Sequence, residues 1–219
     1  MAIALDATSF TSSASASSLT WAHTCTGSNR ILVVAIGMDA DTTCTVTYNG
    51  VSMTEIGNAQ RSVGGVKTFL FYLIAPTTGT NNIVATLGTS TKVASGATSY
   101  TGAKQSGQPD SSTATFDDAT LTFIVSTTVI APDCWLVGGT RMQDGLAEPS
   151  GLGTTTRTED PTTGAGQKTV VSDSNGTVGT GSQSLQWLQG GLDNISGVVA
   201  SIAPSVSSSA NRLALLGVG

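Results

Sequence analysis

The 219-residue chain is 39% hydrophobic but only 11% charged, with a formal net charge of −5. Its basic residues (Arg30, Arg61, Lys67, Lys92, Lys104, Arg141, Arg157, Lys168 and Arg212) stand singly, which argues against the clustered footprint that displaces counterions from nucleic acid. The apolar residues fall in β-like runs, unlike those of a disordered chain, and no run approaches membrane-spanning length.

In chain order, Ala2–Ala7 alternates as a first strand, Thr11–Ser18 reads as a Ser/Ala loop, and Leu19–His23 alternates again with Leu19, Trp21 and His23 on one face. Ile31–Ile36 is an unbroken, β-branched apolar run, the pattern of a central strand covered on both faces. Asn49-Gly50 then supplies the two positive-φ residues of a type I′ hairpin turn. That turn pairs Tyr48 with Val51, Thr47 with Ser52 and Val46 with Met53, and should place the apolar set on one face.

Val66–Ala75 is a second strongly apolar strand, stopped by Pro76. Ile83–Leu87 and Lys92–Tyr100 read as separate strands, and Thr101–Ser112 as a surface loop. Thr113–Phe116 and Leu121–Val129 are strand-like with Asp117-Asp118 as a turn between them, and Cys134–Thr140 is another buried strand. Over 142–166 the apolar pattern thins into a long loop, the kind that is usually functional or mobile. Lys168–Ser172, Ser184–Leu188 and Gly197–Ala203 supply the last strands, although Leu185 and Leu188 would also suit one helical turn. No internal repeat is evident.

About a dozen short strands without helices point to an all-β fold, a two-sheet antiparallel β-sandwich of jelly-roll type. A single domain over 1–204 is expected, since sandwiches of this length are often one unit. Residues 205–219 then form a Ser-rich spacer and an apolar tail. That tail either completes its own sheet or adds as a strand to a neighbouring subunit, with Leu213, Leu215, Leu216 and Val218 as candidate interface residues. The start of the chain lacks the basic and apolar regions of a signal peptide, so the expectation is a protein that stays in the cytoplasm where it is made, or leaves by lysis or with a partner. Cys25, Cys44 and Cys134 are odd in number and lack Cys-x-x-Cys spacing, and are expected to be buried free thiols.

The ordered set His23-Thr24, Gly27–Val34, Val46–Thr54, Phe71–Pro76 with Gly79-Thr80, Ser99–Gly102 and Val198–Pro204 resembles a family of β-sandwich modules found in bacterial extracellular proteins and phage virion proteins. The resemblance covers roughly Leu19 to Pro204. It implies a compact, non-enzymatic module used at a surface or in an assembly, and it carries no catalytic motif. The chain differs from the secreted members in lacking an export signal and an attached partner domain, which fits a virion component assembled in the host cytoplasm.

His23 has no recognisable nucleophile partner in sequence, and a hydrogen-bonded structural role is expected. Asp39 with Asp41, Asp117-Asp118 and Glu159-Asp160 are close in sequence, but neighbours on a turn seldom converge on a calcium ion or a glycosidic bond. Trp21, Trp135 and Trp187 read as core residues rather than a sugar-stacking platform. No catalytic, cofactor or metal residue is assigned. The expected function is a virion structural protein, foremost a capsid decoration or head-surface protein that oligomerises and docks on the shell. Its partners would be further copies and other virion proteins such as the major capsid protein. Alternatives are a carbohydrate-binding module recognising a glycan, and a tail or fibre component.

Overall fold

The computed structural model describes residues 1–60, 65–143, 153–161 and 168–205. Two antiparallel sheets pack face to face as a β-sandwich. The first half of the chain supplies one sheet, with β1 (Ala4–Cys25), β2 (Ile31–Met38), β3 (Cys44–Tyr48), β4 (Val51–Ser52), β5 (Thr54–Gln60), β6 (Lys67–Ile74) and β7 (Gly79–Thr101). The second half supplies the other, with β8 (Ser111–Val129), β9 (Trp135–Met142), β10 (Thr155–Pro161), β11 (Lys168–Asp173) and β12 (Gly181–Ile202).

Three expected breaks are absent. The Ser/Ala stretch 11–18 lies inside β1, the two strands expected around residues 88–91 are one continuous β7, and Asp117-Asp118 lies inside β8. Ser184–Leu188 is strand and shares β12 with Gly197–Ala203. Polar Ser and Thr mimic a loop in composition, yet they are compatible with β-structure when a long partner strand holds them. Each long pair loses regular register once near its middle, between Ser13/Val93 and Ser18/Thr86 in β1/β7, and between Asp117/Ile195 and Thr122/Leu188 in β8/β12. At these irregularities the two-stranded ribbons fold over, as β-bulges permit. The rolling of the sandwich therefore takes place within each half.

The halves repeat one another. The strand order β1-β7-β2-β6-β5 of the first sheet matches β8-β12-β9-β11-β10 in the second, and among the described residues β3 and β4 are added only to the first. Met38 faces Lys67 with Thr68 following, and Met142 faces Lys168 with Thr169 following. The irregularity at Glu55/Gly57 in β5 recurs at Thr156/Thr158 in β10. Backbone angles repeat too, at Asn29 (φ 51°) with Asp133 (φ 60°) and at Gly79 (φ 89°) with Gly181 (φ 96°). The repeat is one of structure that the sequence pattern does not show: side chains differ at equivalent positions while register, bulges and turn conformations correspond.

Three cores follow. One lies wholly within the first half, where Leu32, Val34 and Ile36 of β2 meet Val46 and Tyr48 of β3 and Leu19 and Trp21 of the folded ribbon. Another lies wholly within the second half, around Phe123, Leu136, Leu185 and Trp187. The third joins the halves, with Ile31, Val33, Leu70 and Tyr100 against Trp135, Val137, Val171 and Val198. The joint has approximate two-fold character: β6 meets β12 as β11 meets β7, β5 meets β8 as β10 meets β1, and β6 meets β9 as β11 meets β2. Ala35 and Gly139 hold equivalent positions and face each other, so closely that a Cβ on Gly139 would collide with that of Ala35.

The turn between the halves, the chain start and the end of β12 share one end of the sandwich. Lys104 N donates to Ala203 O (2.9 Å), Ser205 N to Gly102 O (2.7 Å), and the Met1 amino group to Ser205 O (2.7 Å).

Candidate functional site

His23 enters through the fold of β1. Alternation turns Trp21, His23 and Cys25 inward, and folding of the ribbon carries Ser9 from the other portion of the same strand onto them. Ser9 Oγ lies 2.8 Å from His23 Nδ1 and accepts the indole N–H of Trp21 at 3.1 Å. With its oxygen so occupied, the Ser9 hydroxyl can donate to Nδ1, which leaves the imidazole hydrogen on Nε2. That Nε2 is buried without a partner among the described residues. Burial lowers the His23 pKa to about 4, against a smaller opposing pull from Asp6, so the ring is neutral near pH 7. A hydrolytic Ser–His pair needs a third group to orient the base, and among the described residues none hydrogen-bonds this ring on its other nitrogen.

The surroundings are built for closure. Asp6 accepts from Thr26 N (2.8 Å), from the Thr26 hydroxyl and from Ser99 Oγ (2.8 Å). Burial works to raise its pKa and is outweighed by those hydrogen bonds, which leave it lowered. The second half repeats the device with Asp110, which accepts from Ile130 N (2.7 Å), Ala131 N (3.2 Å) and Ser201 Oγ (3.4 Å). At the place equivalent to His23 stands Thr127, buried, whose Oγ1 bonds Ser111 Oγ at 3.0 Å. A threonine doing the equivalent task identifies His23 as a clasp of the rolled ribbon. Cys25, Cys44 and Cys134 are free and buried, and burial raises all three thiol pKa values, that of Cys44 to about 12. They are protonated and poor nucleophiles.

An ion pair, Arg141 with Asp39, and a buried hydrogen bond, Tyr100 to Asp173, weld the halves, while the Arg157–Asp173 pair lies within the second half. Arg141, fully buried, directs Nε (3.1 Å) and Nη2 (3.0 Å) onto Asp39 Oδ1. Asp173 accepts from Arg157 Nε (2.6 Å), Tyr100 Oη (2.8 Å) and Asn175 N (2.8 Å). Burial, and then the Asp173 carboxylate, push the Tyr100 phenol well above its usual range.

Asp39 and Asp41 turn to different partners. Asp39 serves Arg141, Asp41 serves Lys67 at 3.1 Å, and Glu159 pairs with Lys168, while the Asp160 side chain lies outside the described residues. Among the described residues no group of three or more His, Cys, Asp or Glu could hold a metal. Trp21, Trp135 and Trp187 are all buried, which removes them as a sugar platform. Leu213, Leu215, Leu216 and Val218, with most of the 142–166 stretch, lie outside the described residues; β10 occupies part of that stretch.

The features that can meet another molecule are on the surface. Leu121 (50% exposed), Ile124 (51%) and Phe116 (41%) lie on β8, an edge strand, with Leu192 (68%) on β12. The sequence pattern marks Phe116, Leu121 and Ile124 as strand residues but not that their strand is an edge, and it leaves Leu192 between two expected strands where β12 is continuous. A polar cleft of about 450 Å³ opens beside the Asn49-Gly50 turn, lined by Thr47, Asn49, Thr80, Asn81 and Asn82. The third feature is one edge of β12. Across Gly181–Leu188 its only strand partner among the described residues is β8, and Gln186 N donates to Thr154 Oγ1, whereas the equivalent part of β7 pairs on both edges, with β1 and β3.

The fold and these surfaces define an all-β sandwich whose buried polar groups serve cohesion. No protein-family model matches the chain, and no curated protein or solved structure is significantly similar to it.

Proposed function

We propose that this chain is a structural protein of a phage particle, a decoration protein of the capsid surface that oligomerises and docks on the shell without catalysing a reaction. The observation that carries the reading is the set of exposed apolar side chains on and beside β8, namely Phe116, Leu121, Ile124 and Leu192, on a molecule with few charges. An edge strand that carries exposed apolar side chains is a ready contact surface for another chain. Internal groups tied up in closing the rolls and joining the halves agree with a rigid building block. Its partners are further copies and a shell protein such as the major capsid protein. The test is co-sedimentation with purified particles, in parallel with Leu121→Lys and Ile124→Lys variants. Wild type bound to particles and the variants released supports the reading; a protein that is monomeric at high concentration and absent from particles overturns it.

The cleft of Thr47, Asn49, Asn81 and Asn82 favours one second reading, a carbohydrate-binding module, since neutral amides and hydroxyls suit sugar hydroxyls. Specific glycan-array binding lost in Asn82→Ala would support it, and silence across polysaccharides would remove it.

A further inference from the structure

Each half closes its rolled ribbon with a side-chain clasp, and the two clasps differ in one chemical respect. In the second half Thr127 Oγ1 and Ser111 Oγ lie 3.0 Å apart, and neither hydroxyl titrates in the working range of pH. In the first half the acceptor is a base. Trp21 Nε1 donates to Ser9 Oγ (3.1 Å), Ser9 passes its own hydrogen to His23 Nδ1 (2.8 Å), and the imidazole hydrogen stands on Nε2. This relay closes only while the ring is neutral. A proton added at Nδ1 turns that atom into a donor, so Ser9 Oγ faces two donors and its hydroxyl hydrogen has no acceptor among the described residues. The new charge also reaches Nε2, which is buried and has no partner there to spread it onto. The clasp spans a weak place in the strand. Ser9 and His23 stand on opposite sides of the register breaks between Ser13 and Ser18, so their bond crosses the fold of β1. Behind it Leu19 and Trp21 of β1, Ile83 and Ala85 of β7, and Val46 and Tyr48 of β3 form the inner face of the ribbon.

We propose that the first ribbon, residues 18–25 of β1 with 79–87 of β7 and the attached β3, is an acid-released flap: protonation of His23 undoes its clasp and lets this ribbon lift from its own half while the second ribbon stays shut. This response is separate from what the molecule docks on. The groups around the ring leave the histidine as the trigger. Asp6 favours the protonated ring and is outweighed by burial, and its own carboxylate, held by Thr26 and Ser99 at a lowered pKa, stays ionised at pH 4.5. Burial raises the pKa of the Cys25 and Cys44 thiols and of the Tyr48 phenol, so these keep their protons throughout, and Arg30 keeps its charge. With the enclosed ring titrating at about 4 and a freed one at 6.5, the opening equilibrium of the flap should rise about 60-fold between pH 7 and 4.5.

Amide hydrogen exchange of the full chain, read by mass spectrometry on peptides from each ribbon and corrected for the intrinsic effect of pH on exchange, compares the two ribbons in one sample. Protection over residues 18–25 and 79–87 should be about 60-fold weaker at pH 4.5 than at pH 7, while residues 121–129 and 181–188 keep theirs. His23→Gln should abolish the difference in the first ribbon. Should that variant fail to fold, the wild type still decides, because His23 is the chain's single histidine and its ring resonances follow it alone. They should show the Nε2–H form at pH 7 and a titration at about pH 4, with the exchange of the second ribbon as the internal control. A ring that titrates near 6.5, two ribbons that loosen together, a first ribbon equally protected at both pH values, or a His23→Gln protein that keeps the pH dependence overturns the flap.

Discussion

At the scale of single residues, His23 sets a pH dependence whose sign follows from its depressed pKa. Between pH 6.5 and about 4 the unfolded chain takes up a proton that the folded chain refuses. Stability from this group is therefore complete above pH 6.5 and falls as the solution is acidified through that window. Between pH 7 and 4.5 the loss should be about 2–3 kcal/mol, read from urea midpoints. His23→Gln should lower stability at pH 7 and flatten this limb; an unchanged slope would mean that other groups carry it. The buried, structural character of His23 was legible from its alternation with Leu19 and Trp21. Its partner was not, because Ser9 approaches only after β1 has folded over, and nothing local in Thr11–Ser18 announces that fold.

At the scale of elements, Asp6 and Asp110 each tie the first strand of a half to the turn after its far end, and each draws in a serine of the last strand. Asp6→Ala and Asp110→Ala should each cost about 1–3 kcal/mol by stranding backbone N–H donors. Because the sites are in separate halves, the double variant should lose the sum. Chemical denaturation checks both, and a markedly sub-additive result would show that the halves do not hold their turns independently. The hairpin at Asn49-Gly50 shows how far local chemistry reaches. Tyr48 pairs with Val51 and Thr47 with Ser52 as turn type demands, and Met53 N donates to Val46 O. Yet Tyr48 is fully buried while Val51 is 50% exposed, since β4 is a two-residue rim with no layer over it. Register was written in the turn, and burial was decided by what packs above.

At the scale of the whole molecule, the two-sheet sandwich was legible because apolar runs such as Ile31–Ile36 declared their double burial. The duplication was not, because equivalent positions hold Trp21 and Val125, or Tyr100 and Ile202, and what persisted lies in pairing and φ angles. The contact of Ala35 with Gly139 tests the two-fold relation between the halves. Gly139→Ala should destabilise by about 1–3 kcal/mol through overpacking, and adding Ala35→Gly should restore most of that loss, since the exchange merely swaps which half carries the methyl group. A double variant no better than Gly139→Ala would disprove the shared axis.

The bond from the Met1 amino group to Ser205 O has a consequence for genetic engineering. Start and finish of the described fold lie side by side, next to the crossover between halves, so the order in which the halves are translated should be immaterial to the final shape. A circular permutant opened between Gln105 and Gly107, with Ser205 joined to Met1 through a short glycine linker, should fold to the same sandwich with a similar melting temperature, and circular dichroism with thermal scanning would show whether it does.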